Sequence, residues 1–364
     1  MADGRADEPV PFWKKALDRR VTGPGWFALR SGLRAASLPY AAAMRARNAA
    51  FDSGWKESID VGVPVISVGN LTAGGTGKTP AVCRLARELR NRNVRVGLVS
   101  RGYKAGEQGT NDEALELEER LPDVPHVQDP DRVAAARIAI DELASQVILL
   151  DDAFQHRRIR RDWDIVLIDA TNPFGYGALL PAGLLREPLS SLARAQTIVL
   201  SRANMIDEEA REAIRKQVER YAPAADWVEA VHQPSGWRNA EGLTESTEIA
   251  SFRRVAVVSA IGNPDAFRRT LTGLGLEVAE ERIFPDHHRF TREDVASLQA
   301  WGKQLATERI GAIVCTGKDL VKLSLPALGP LPLWSLVIDF SFTRNETAIQ
   351  RRLDDIAAKV PAED

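Results

Sequence analysis

Residues 63–82 read VPVISVGNLTAGGTGKTPAV, and this stretch decides the fold. Val63, Val65, Ile66 and Val68 make a β-branched run, which breaks into a glycine-rich turn over Gly74, Gly75, Thr76 and Gly77 and then into a helix-compatible segment from Lys78 and Thr79. The order strand, glycine turn, helix is that of a phosphate-binding loop. In such a loop the backbone N–H groups converge on phosphate oxygens, a lysine adds a point charge, and a Ser or Thr hydroxyl offers a magnesium ligand. GGTGKT meets this pattern, with Thr72 where the first glycine of G-x-x-x-x-G-K-[ST] usually stands, and Pro80 is tolerable at an early helical position.

Working outward, short apolar strands are predicted at 64–69, 95–99, 147–150, 165–169 and 197–201, with helices between several of them such as 80–92 and 131–145. This alternation predicts an α/β fold with a largely parallel sheet flanked by helices. Residues 226–250 are polar and turn-rich and read as a linker; 253–260, 311–315 and 334–340 supply strands for a second, smaller α/β lobe. The expected organisation is an N-terminal segment (1–60), a phosphate-loop core (61–225), the linker (226–250), a second lobe (251–345) and a C-terminal tail (346–364).

The chain has 364 residues, 44% hydrophobic and 27% charged, which is a globular composition sufficient for two domains. Cys83 and Cys315 are the only cysteines, too few for a disulfide framework, so a reducing compartment is expected. No apolar run reaches the roughly 18 residues of a spanning helix, and the MADGRADEP start is too acidic for a secretory signal. The net charge of −2 conceals a basic N-terminal region, with Lys14, Lys15, Arg19, Arg20, Arg30, Arg34, Arg45 and Arg47 set against Asp18. Residues 26–51 place Trp26, Leu29, Leu33, Ala36 and Tyr40 at near-helical spacing, with arginines for another face and a kink expected at Pro39. Such a helix suits either an anionic membrane interface or packing on its own domain.

A nucleotide site of this class needs a strand-end acid for magnesium. VILLDDAFQH offers Asp151 and Asp152, and DIVLIDATNP offers Asp169. The adjacent pair is preferred, because two carboxylates ending a buried strand are costly to keep without a cation, whereas a single strand-end Asp commonly serves as a cap or turn residue. Further polar clusters fall at SRGYK (100–104), QGTNDEA (108–114), DRVAAAR (131–137), LLPAGLLREP (179–188) and FPDHHRF (284–290).

Taken together, NLTAGGTGKTP, SRGY, NDEA, DDAFQHRRIRRDWDIVLIDA, LLPAGLLREP, IGNPDAF and DHHRF resemble the tetraacyldisaccharide 4′-kinase family, over most of the chain. The resemblance implies a P-loop kinase of two α/β/α lobes that uses ATP and Mg2+ to phosphorylate the 4′-hydroxyl of a tetraacylated glucosamine disaccharide 1-phosphate. It implies a peripheral protein, expected as a monomer without a nucleic-acid partner, on the anionic cytoplasmic face of the bacterial inner membrane. Carried onto this sequence, ATP binding falls on Asn70, Thr72, Ala73, Gly74, Gly75, Thr76, Gly77, Lys78 and Thr79, and magnesium on Thr79, Asp151 and Asp152. Substrate contacts fall on Arg101, Tyr103, Arg132, Gln155, His156, Arg186 and Glu187; catalysis falls on Lys78 with Asp112 as carboxylate and His287 as its partner. Departures are Asn111 before Asp112, Ala114 after Glu113, and Gly317 within TGKD at 316–319. The rival classes are a P-loop GTPase or metallochaperone and a non-catalytic membrane-tethered ATP-binding module. TGKD puts its lysine one place too late for a guanine-reading [NT]-K-x-D, and nothing in the non-catalytic class calls for DHH or LLREP.

Overall fold

The computed structural model describes residues 16–17, 21–74, 76–102, 112–242, 244–245, 252–286 and 288–361. Its first long element, α1 (Pro24–Asp52), opens with a proline in the first turn, where a missing N–H costs little, and continues as one helix through Pro39. Strands and helices then alternate: β1 (Val65–Asn70), α2 (Lys78–Arg90), β2 (Val96–Ser100), α3 (Asp112–Arg120), β3 (His126–Gln128), α4 (Arg132–Asp141), β4 (Val147–Asp151), β5 (Trp163–Asp169), β6 (Thr197–Ser201) and α5 (Glu208–Glu219). Every residue of β1, β2, β4 and β6 is buried. Strands covered by helices on both faces need consecutive apolar residues, and the sequence supplies them.

The chain continues through β7 (Asp226–Arg238), β8 (Thr244–Glu245), β9 (Arg254–Ser259), α6 (Pro264–Gly273), β10 (Glu277–Ile283), α7 (Arg292–Leu305), β11 (Ala312–Thr316), α8 (Gly317–Leu323), β12 (Ala327–Leu328), β13 (Leu331–Arg344) and α9 (Glu346–Ala357). Two expectations are corrected here. Residues 226–238 are not a linker but a long strand, and residues 346–357 are not a tail but a helix whose Ile349, Leu353 and Ile356 share a core with Leu85 and Leu89 of α2. Polar residues are tolerated in β7 because much of the strand is only partly covered.

Among the described residues thirteen strands form one sheet, in the order β10-β9-β11-β13-β7-β6-β5-β1-β4-β2-β3, with β12 on β13 and β8 on β7. Apart from the short β8 and β12, which pair antiparallel, the strands run parallel within each half, and the halves meet at the antiparallel pair β7 and β13. Register explains how this arrangement makes a site. The pairing of β6 with β7 ends at Glu229, whereas β11 pairs with β13 as far as Leu336, which lies opposite Trp237 of β7. The half-sheets are therefore offset by roughly 25 Å along the shared ribbon, at about 3.3 Å per residue. Because the halves have opposite polarity, the carboxyl ends of both sets of strands point toward this middle stretch. Ligands in open α/β sheets bind beyond strand carboxyl ends.

Candidate active site

β1 ends at the fully buried Asn70, whose Nδ2 donates to Thr76 Oγ1 at 3.1 Å and to the Gly74 carbonyl at 3.4 Å. One side chain thus ties the start of the loop to its end. Ser201 Oγ, at the end of β6, donates to the Thr76 carbonyl at 2.9 Å, and the Ala73 amide donates to the Leu184 carbonyl at 2.7 Å. Gly77 lies in the left-handed region with φ of 83°, and a Cβ there would stand 2.2 Å from His232 Nε2 on β7. Only glycine fits both demands. As the residue before α2, Gly77 has no side chain to cap the helix, so the first amides of α2 face the loop.

Charge converges on the same place. Lys78 Nζ is 3.3 Å from Asp152 Oδ1, and Arg186 Nη1 donates to both Asp152 oxygens at 2.9 and 3.0 Å. Burial pushes the Asp152 carboxyl up, but Lys78 and Arg186 outweigh it and hold it below the usual carboxylate range. Asp152 has a left-handed backbone, φ 48°, which turns it away from the strand line of its neighbour. Asp151 ends β4 directly across from Val68 of β1 and is buried, as is Thr79 in the first turn of α2. Of the two acids expected to serve magnesium, Asp152 is thus the counter-ion of Lys78 and Arg186 here. Thr79 and Asp151 supply hard oxygen donors of the kind magnesium takes, so the donor set fits that ion. Arg132, buried at the start of α4, has its pKa lowered by burial and by Arg101, against the opposing pull of Asp152, Asp151 and Asp129. The exposed Arg101 therefore shares the same electrostatic neighbourhood.

The turn after β4 is held from beneath. Gln155 Nε2 donates to the Asn70 carbonyl at 2.8 Å, and the His156 amide closes on the Ala153 carbonyl at 2.8 Å. Arg161 Nη1 donates to the carbonyls of Ala153, Phe154 and His156, and its Nη2 pairs with buried Asp164 at 3.0 Å. Burial, followed by the charges of Arg132, Arg161 and Arg47, pulls the His156 imidazole down to about 4 and keeps it neutral. Glu187 departs from expectation. It is fully buried against Arg194 at 2.6 Å, Asn48 at 3.4 Å and Arg47 at 3.7 Å, an internal counter-ion and not a surface for substrate. Asp169 bonds the amide and hydroxyl of Thr171 at 2.9 and 2.8 Å and pairs with Arg202, a turn role.

Sequence reasoning missed Ser201, His232, Tyr40 and Arg47, which brace the site from strands and a helix far away in the chain, and Arg161, which braces the turn after β4 from a few residues downstream. Gly75, Tyr103 and His287 lie outside the described residues, as does the side chain of Asp112, whose backbone opens α3.

The family model for tetraacyldisaccharide-1-P 4′-kinase matches residues 29–358. Among curated proteins, a tetraacyldisaccharide 4′-kinase of Anaeromyxobacter sp. (strain K) is 37% identical over 94% of this chain and 95% of its own length. One from Anaeromyxobacter sp. (strain Fw109-5) is 40% identical over 92% and 94%. A crystal structure of LpxK from Aquifex aeolicus in complex with ATP superposes with a TM-score of 0.71 at 29% identity, covering 90% of this chain and 99% of that one. With the phosphate loop, its cations and its acids in place, the chain belongs to the tetraacyldisaccharide-1-P 4′-kinase family.

Proposed function

We propose that the chain transfers the γ-phosphate of ATP to the 4′-hydroxyl of a tetraacylated glucosamine disaccharide 1-phosphate, a step of lipid A biosynthesis. The observation that carries this reading is the trio Lys78, Asp152 and Arg186 beside the open N-terminus of α2. Two cations are held ready there by a carboxylate that stands where phosphate charge would come. Phosphoryl transfer asks the protein chiefly for positioning and charge neutralisation. The loop amides and Lys78 cradle the β- and γ-phosphates, and Arg186 meets the charge on the transferring group. The 4′-oxygen bonds to the γ-phosphorus as the bond from that phosphorus to the β,γ-bridging oxygen breaks, and ADP leaves. The hydroxyl proton passes to a carboxylate, assigned by family resemblance to Asp112 with His287 orienting it. Thr79 and Asp151 would hold Mg2+, which when bound neutralises phosphate charge.

The lipid must be met at a surface. Among the described residues no helix is long and apolar enough to cross a membrane. On α1, Phe27 and Leu38 are 72% and 70% exposed and eleven positions apart, which brings them to one side of the helix with the exposed Arg34 and Arg45; Trp55 beyond the helix is 84% exposed. This face suits peripheral contact with anionic lipid. Two experiments test the reading. Incubation with ATP and the disaccharide 1-phosphate lipid in detergent micelles should add one phosphate to the lipid by mass spectrometry with one ADP formed per product, and ATP turnover without lipid product would refute it. Arg34→Glu with Arg45→Glu should weaken co-sedimentation with anionic vesicles several-fold, at about 1 kcal/mol per basic residue. Unchanged sedimentation would remove the surface role.

A further inference from the structure

The inner face of α1 reaches the site itself. Tyr40 Oη donates to the backbone carbonyl of Arg186 at 2.8 Å, and Arg47 Nη2 donates to the backbone carbonyl of Gln155 at 2.5 Å. These two residues point their own side chains at the phosphate loop: Arg186 at Asp152, the partner of Lys78, and Gln155 at the carbonyl of Asn70. The Arg186 amide also donates to the Leu71 carbonyl at 2.7 Å, so its main chain is gripped from the loop on one side and from α1 on the other. Nearby, Asn48 Nδ2 donates to buried Glu187 and to Ser191 Oγ at 3.4 and 3.2 Å, which fixes the register of the helix on the 179–191 segment.

We infer that Tyr40 and Arg47 are positioning residues for phosphoryl transfer, holding the main chain of Arg186 and Gln155 so that α1 frames the phosphate site as well as the lipid surface. The inference rests on the kinase reading above and deepens it. A guanidinium that must meet both a carboxylate and a transferring phosphate tolerates little play at its own backbone, and misplacement by an ångström is costly in rate. Surface contact on the outer face and chemistry on the inner face then share one rigid helix.

The test uses the full chain with ATP and the disaccharide 1-phosphate lipid in micelles. Tyr40→Phe keeps the ring and removes one hydrogen bond; kcat should fall about fivefold with the KM for ATP within about twofold, the pattern of an interaction used in the transition state. Arg47→Met should fall further, and Arg47→Lys should recover part of the loss. A cycle with Arg186→Ala separates positioning from general support, because Tyr40→Phe should cost less than about twofold once the Arg186 side chain is gone. Vesicle co-sedimentation of Tyr40→Phe should match the parent. Wild-type kcat in Tyr40→Phe, an undiminished loss on top of Arg186→Ala, or a matching loss of vesicle binding would each overturn the inference. Absence of lipid product with the parent chain would instead overturn the kinase reading.

Discussion

Two short segments of this chain begin alike and end differently. TGKT at 76–79 follows β1 and opens α2; TGKD at 316–319 follows β11 and opens α8. In the second, the chain fills its own anion position. Thr316 Oγ1 accepts from the Asp319 amide, and the fully buried Asp319 carboxylate accepts from Thr316 Oγ1 at 2.6 Å and from the Ala260 amide at 3.2 Å. Burial pushes this carboxyl up despite those bonds, because it is enclosed. In the first, Thr79 replaces the acid, Gly77 brings no capping side chain, and the carboxylate that meets Lys78, Asp152, follows another strand and is shared with Arg186. A strand-to-helix turn becomes a phosphate site when its own sequence leaves the helix N-terminus unfilled.

The largest expected effects come from making the first turn like the second. Thr79→Asp would put a carboxylate beside the phosphates and should lower kcat/KM for ATP by at least about 10²-fold, as should Lys78→Ala through loss of preorganised charge. Lys318→Ala, in the matching place of the other turn, should leave kcat within about twofold. Equal losses from Lys78→Ala and Lys318→Ala in a label-transfer assay would erase the distinction.

Next in size is a stability effect confined to the second turn. Asp319→Ala strands the buried Ala260 amide and removes the partner of Thr316 Oγ1, at about 2 kcal/mol. The urea midpoint should fall at constant slope while the KM for ATP holds. An unchanged midpoint would show that Asp319 does not fill that turn.

A third test is a pH dependence. Burial lowers His126 to about 4, and burial with the charges of Arg202 and Arg120 lowers His232 to about 3. Both belong to the half of the sheet that carries TGKT. The unfolded chain takes protons near pH 6.5 that these folded rings refuse, so their stabilisation is present above that pH and is lost as pH falls toward 4 and 3. Each contributes a slope of up to about 1.4 kcal/mol per pH unit in that window. Thermal melts from pH 7 to 4.5 should show Tm declining, less steeply in His232→Gln; an identical slope would show that His232 is not held neutral behind Gly77.

Much of this was legible from sequence, for a physical reason. Doubly covered parallel strands such as β1 and β4 announce themselves as apolar runs, and a loop that must bring main-chain amides to phosphate needs glycine and lysine at fixed places. The ribbon strand β7 was illegible because its half-covered faces admit Gln233, Pro234, Ser235 and Gly236, a composition that reads as a turn. The helix α9 did carry a signal in the spacing of Ile349, Leu353 and Ile356. The bracing of the site was hidden for another reason. Tyr40, Arg47, Arg161 and Ser201 act on backbone carbonyls, which any sequence offers, so only the fold reveals which carbonyl each one meets. Glu187, assigned to substrate contact by resemblance, is buried among Arg194, Asn48 and Arg47, a placement that no sequence pattern shows.

The most direct measurement is a crystal structure of the full chain with magnesium and a non-hydrolysable ATP analogue. The account predicts the β- and γ-phosphates on the amides of the 74–79 turn, with Lys78 Nζ drawn from its present 3.3 Å approach to Asp152 onto the phosphate oxygens. Phosphates bound elsewhere, or a lysine still on Asp152 with nucleotide in place, would contradict it.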